Sequence, residues 1–143
     1  LREVIFHGWV SRAAVGRFDA LAHFIMLPSQ SEGWPKVLSE AMAYGAVPIA
    51  SAVSSIPQIL AETGAGVARP VDDIDGMAAA IVNYVNQPDE WLAASRAGAA
   101  VAAQFGYRAY QAAVRALFAG TWGIDLTTDR RPLTNEHLQR HLI

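Results

Sequence analysis

Two rhythms of apolar and polar residues follow one another along this chain. Short apolar runs at residues 23–27, 47–50 and 67–69, with a further one at 4–6, have the length and composition of buried parallel strands. Between them apolar residues recur at helical spacing. Ser11 stands where an N-cap would open a helix reaching residue 22. Pro35 marks the first position of a helix that runs to Tyr44, and Gly45 follows where a left-handed residue would end it. Pro57 opens a short helix over residues 56–62. Beyond that the pattern turns helical over residues 73–86, 89–103 and 107–118, with Pro88 and Gly106 as dividers. Strands alternating with helices predict an α/β fold, a Rossmann-like parallel sheet flanked by helices. Residues 1–120 are expected to form one domain and residues 121–143, polar from Thr127 onward, a tail or linker.

Composition permits this reading. At 143 residues and 52% apolar the chain has enough material for one core. The absence of cysteine removes disulfide frameworks and thiolate metal sites and fits a reducing compartment, so the cytoplasm is the expected location. A formal charge of −2 without a block of Lys or Arg argues against nucleic acid or anionic lipid as main partner. No apolar run approaches membrane-spanning length, and the first residues lack the pattern of a signal peptide.

The chemistry concentrates between Pro28 and Gly45. Residues 28–33 form a polar loop at the carboxyl end of the second apolar run, the edge where ligands gather in open α/β sheets. The helix behind the loop offers unpaired N–H groups and a positive dipole end, both suited to a phosphate. Glu32 lies in the loop and Glu40 on the helix, four residues after Lys36 and so on the same face. Helical side chains lean toward the N-terminus, so Glu40 is expected to point at the mouth that Glu32 lines. A carboxylate there is an acceptor for paired sugar hydroxyls, and the arrangement suits a nucleotide sugar. Taken singly, each acid has a plainer role, Glu40 as a dipole partner and Glu32 as a solvated loop residue.

Glu32-Gly33-Trp34-Pro35, then Glu40-Ala41-Met42-Ala43 and Gly45, with Pro48-Ile49-Ala50 behind, resembles the E-x7-E signature of retaining glycosyltransferases of the GT-B fold, in particular the large family four of sugar-nucleotide-dependent transferases. The resemblance extends to Phe6-His7-Gly8, to Ser55-Ile56-Pro57-Gln58-Ile59 and to the strand from Gly64 to Pro70, in order along residues 4 to 118. Four ordered segments are far more specific than one pair of acids. It implies the C-terminal, donor-binding half of a GT-B fold, truncated at its N-terminal side: four strands are readable where such a half has about six. A diphosphate-binding Arg and Lys, and a separate acceptor domain, are then expected upstream.

By family position Glu32 would hold the donor sugar near the reacting carbon as the catalytic-site acid. Gly33 and Trp34 would approach the sugar through their backbone, Lys36 and Val37 would offer N–H groups to the diphosphate, and Glu40 would take the ribose. The family implies transfer with retention, a nucleoside-diphosphate sugar as donor substrate, no cofactor and no metal. A sugar-nucleotide epimerase of the same fold and a non-catalytic nucleotide-sugar-binding half are the alternatives. Asp73-Ile74-Asp75 is formally a D-x-D metal signature but reads as the opening of a helix. His137 and His141 stand four apart without a third ligand and read as part of the polar tail. His7 and His23 fall in strand-like runs and read as core histidines.

Overall fold

The computed structural model describes residues 4–126. His137 and His141 lie outside them. The chain divides into two compact units, Leu1–Gly106 and Tyr107–Ile143.

In the first unit the element order is α1 (Arg12–Asp19), β1 (Phe24–Leu27), α2 (Lys36–Ala43), β2 (Val47–Ser51), α3 (Ile56–Thr63), β3 (Val67–Arg69), α4 (Ile74–Asn86) and α5 (Pro88–Ala102), followed by a 3-10 turn at Ala103–Phe105. The strands form one parallel sheet in the order β1-β2-β3, with Phe24 opposite Val47 and Ile49 opposite Val67. This is the expected α/β architecture. Every residue of the central strand β2 is buried, as strands covered on both faces require.

Alternation along the strands sorts the core into two layers. On one face Ile25, Leu27, Ala50 and Ala68 pack with Leu38 and Met42 of α2, Ile56 and Leu60 of α3, and Ala102 at the end of α5. On the other, Phe24, Ile49 and Val67 meet Met77, Ala80, Ile81 and Tyr84 of α4. Gly98 lets α5 settle closely on Met42 and Ala65. Helix ends follow the sequence signals. The Ser11 hydroxyl accepts from Ala14 N–H at 3.3 Å and caps α1. Asp73 Oδ1 accepts from Gly76 N–H at 2.9 Å and caps α4, the helix-opening role read for this acid. Gly45, at φ +90°, turns the chain out of α2 into β2, a conformation that favours glycine.

Three expectations need correction. Residues 4–6 form no strand, and Val4, Ile5 and Phe6 are exposed at 51%, 74% and 93%; among the described residues no strand pairs with them, and β propensity without a ladder partner does not make a strand. His7 and His23 are both exposed rather than core residues. Their rings lie against aromatic neighbours, His7 on Phe18 at 4.5 Å and His23 on Trp91 at 5.5 Å between centroids, which satisfies an imidazole face without burial. The first helix ends at Asp19, short of residue 22, because the carbonyls of Phe18 and Asp19 accept from Leu21 and Ala22 in tight terminal turns.

The second unit contributes α6 (Tyr107–Trp122), in which Phe118 and Trp122 pair their rings at 5.0 Å, one helical turn apart. Among the described residues no helix is long and apolar enough to cross a membrane.

Candidate functional site

The loop between β1 and α2 leaves the carboxyl edge of the sheet and carries an internal hydrogen bond. Ser29 Oγ donates to Glu32 Oε1 at 2.8 Å. Glu32 is thereby held half-buried on a local tether, with its second carboxylate oxygen unclaimed by that bond. Gly33 is exposed, and a Cβ built on it would meet nothing within 4 Å, so its backbone is approachable from solvent.

Trp34 turns the other way. Its ring packs partly buried against the α2–α3 core layer and stacks on Phe105 with centroids 4.3 Å apart and planes at 24°. Its indole N–H is buried without a hydrogen-bond partner among the described residues. The side chain is therefore structural, and what it presents to the loop surface is main chain.

Pro35 is the residue before α2 rather than its first helical position, at φ −73° and ψ 121°. Among the described residues no side chain caps this helix. Leu38 N–H closes the first turn onto the Pro35 carbonyl at 3.1 Å. The N–H groups of Lys36 and Val37, one and two positions into the helix, find no acceptor among the described residues, as the geometry of a helix start requires. Together with the dipole end they form an electropositive lip beside Glu32. Lys36, the chain's only lysine, is exposed, and Val37 is half-buried.

Glu40 sits in the second turn of α2 and looks toward α1. Its Oε1 lies 4.0 Å from Arg12 Nη2, with Arg12 almost fully exposed and Glu40 half so, a geometry worth little energy. It is also near enough to Asp19 for its charge to add to the effect of burial in raising the Asp19 carboxyl above its ordinary 3.8. The two acids of the motif thus have separate surroundings, Glu32 tethered by its own loop and Glu40 facing Arg12 and Asp19 on α1. Sequence spacing gave no sign of Arg12, Asp19 or Phe105, since each reaches the motif through tertiary packing.

Two non-glycine residues with positive φ, Ser54 at 50° and Asp72 at 65°, fall in the loops that follow β2 and β3 at this same edge. Among the described residues no three His, Asp or Glu side chains gather as a metal site would require.

Over 54 residues, 38% of this chain and 14% of the relative, the sequence is 44% identical to the phosphatidyl-myo-inositol mannosyltransferase of Mycolicibacterium smegmatis. Among solved structures, the sucrose-phosphate synthase of Thermosynechococcus elongatus superposes with a TM-score of 0.71 at 26% identity, covering 84% of this chain and 31% of that one. The chain therefore spans 14% and 31% of the two relatives' lengths. The family model of glycosyl transferases group 1 matches residues 1–102, which takes in every element from α1 to α5. The chain belongs to the glycosyl transferases group 1 family, on a Rossmann-like unit of GT-B type.

Proposed function

We propose that this chain is the donor-binding part of a retaining glycosyltransferase that uses a nucleoside-diphosphate sugar. The observation that carries the reading is the uncapped first turn of α2 beside Glu32 at the carboxyl edge of a parallel sheet, in a chain of the glycosyl transferases group 1 family.

In this proposal the N–H groups of Lys36 and Val37 and the dipole of α2 receive the diphosphate. Glu32 accepts from the donor sugar's hydroxyls, with Ser29 fixing its carboxylate and Gly33 and Trp34 offering main chain. Glu40 accepts from the ribose hydroxyls. The bond between the anomeric carbon and the diphosphate oxygen breaks as the acceptor oxygen bonds to the same face, and the departing phosphate takes the acceptor's proton. The developing negative charge is met by fixed N–H dipoles. The scheme is written without a metal, and Asp73 is assigned to capping α4, where its Oδ1 accepts from Gly76 N–H. The acceptor domain and further basic groups belong to segments beyond this chain, and a cytoplasmic setting completes the proposal.

Binding of a nucleoside diphosphate and of its sugar conjugate, followed by ligand-observed NMR, tests the division of roles. The chain alone is expected to bind in the millimolar range, about −4 kcal/mol, without turnover. Glu40→Gln weakens both ligands by about 1.5–3 kcal/mol, the value of a charged hydrogen bond. Glu32→Gln weakens only the sugar conjugate, and in a complete enzyme lowers kcat more than donor affinity. The opposite ordering would place the acids at the wrong ends of the donor.

A further inference from the structure

We infer that Phe105 is a positioning residue for the donor loop. The inference rests on the proposed role of Glu32 in holding the donor sugar.

Phe105 lies 73 residues beyond Glu32 in sequence, at the end of the 3-10 turn that continues α5. That turn packs against α2, the helix that carries Lys36 and Val37. The Phe105 ring covers the Trp34 indole at 4.3 Å in a stacked arrangement. Trp34 is two residues from Glu32 and next to Pro35, whose backbone starts α2. Its orientation fixes the path of the main chain between the sugar-facing acid and the phosphate-facing helix start.

A buried indole usually gains its direction from a hydrogen bond at Nε1, and here that atom has none among the described residues. The ring is oriented by shape alone: the α2–α3 core layer beneath it and the flat face of Phe105 across it. Gly33 on the other side contributes no side chain that could hold the loop. Among the described residues only Ser29 ties Glu32 further, and that bond is internal to the loop, so it moves with the loop rather than anchoring it. Together with the core layer beneath, Phe105 refers the loop to the rest of the unit from outside the motif, and it acts on Glu32 through Trp34 without touching the donor.

The measured quantity is the preference of the full 143-residue chain for a nucleotide sugar over the corresponding nucleoside diphosphate, with the pairs GDP-mannose and GDP, and UDP-glucose and UDP, as probes. Phe105→Ala and Phe105→Leu are expected to reduce the preference about two- to tenfold, the worth of one aromatic pair, while affinity for the diphosphate stays unchanged. Phe105→Tyr keeps a flat ring and is expected to keep the preference. Exchange of the buried Trp34 indole N–H should accelerate in the Ala and Leu variants, with the amides of α5 unaffected, which separates loop release from unfolding. Equal weakening of both ligands, or unchanged exchange of the Trp34 indole N–H, overturns the assignment. Loss of the preference in Glu32→Gln but not in Phe105→Ala overturns the role of Phe105 alone. An unaltered preference in Glu32→Gln, or none in the unsubstituted chain, overturns the reading of Glu32 and this assignment with it.

Discussion

Gly66 lies directly beside the carbonyl of Pro48, so close that a Cβ on Gly66 would run into that oxygen. Pro48 is a proline in the central strand, where a missing N–H would ordinarily cost a ladder bond. Val47 donates toward β1, to His23 at 3.0 Å, so the next residue faces β3, and β3 begins only at Val67, opposite Ile49. The proline falls one position before the ladder it would break. Gly66→Ala should therefore cost about 1–3 kcal/mol through overpacking against backbone that cannot yield. Urea unfolding would show it as a lower midpoint at unchanged slope.

Ser51 closes β2 fully buried, and its hydroxyl has no partner among the described residues. An unpaired buried hydroxyl costs about 1–3 kcal/mol. Ser51→Ala removes that penalty at the loss of one atom, so the variant is expected to be at least as stable as the parent, with a gain of about 1 kcal/mol in thermal or urea unfolding. Substantial destabilisation would reveal a partner for the hydroxyl in solution.

Asp73→Ala removes the cap of α4 and should lower stability by about 0.5–2 kcal/mol, whereas Asp73→Asn, still able to cap, should be close to neutral. Nucleotide-sugar binding is expected to be the same with and without a chelator. A chelator-dependent affinity that vanished in Asp73→Asn would return this acid to the role of metal ligand.

Asp19 titrates high because burial disfavours its charge and Glu40 adds repulsion. A carboxyl raised in the native state binds its proton more tightly folded than unfolded, so stability falls as pH rises from the ordinary 3.8 through the raised value. Asp19→Asn should accordingly stabilise the chain at neutral pH and give no such gain below 3.8. Paired denaturation curves at the two pH values would check the sign, and Glu40→Gln should recover only the smaller, repulsive share.

Most of the fold was legible because its signals are local. β3 at Val67–Arg69 and the stops at Gly45 and Pro88 follow from runs and breakers within a few residues of one another. The apolar run at residues 4–6 misled because a strand depends on a neighbour that the run itself does not encode. The site divided in the same way. Glu32, Lys36, Val37 and Glu40 were visible as one spaced motif at a strand-to-helix junction, whereas the inward turn of the Trp34 ring, the approach of Arg12 and Asp19 and the stack on Phe105 arise from contacts across tens of residues. Local patterning carries no record of such contacts.

At the amino end of the sheet, α5 ties two strands from a distance. The Trp91 indole N–H donates to the His23 carbonyl at 3.1 Å, just before β1, and Ser95 Oγ donates to the Gly45 carbonyl at 2.7 Å, just before β2. At the carboxyl end, the side-chain bond of the β1–α2 loop is its own, from Ser29 to Glu32. The amino end is thus tied by long-range hydrogen bonds, whereas the loop at the carboxyl end is held by ring stacking and packing through Trp34 and by its own hydrogen bond. If the proposed donor-binding role holds, exposed loop positions such as Gly33 can vary and alter what is bound, while the two bonds at the amino end preserve the architecture.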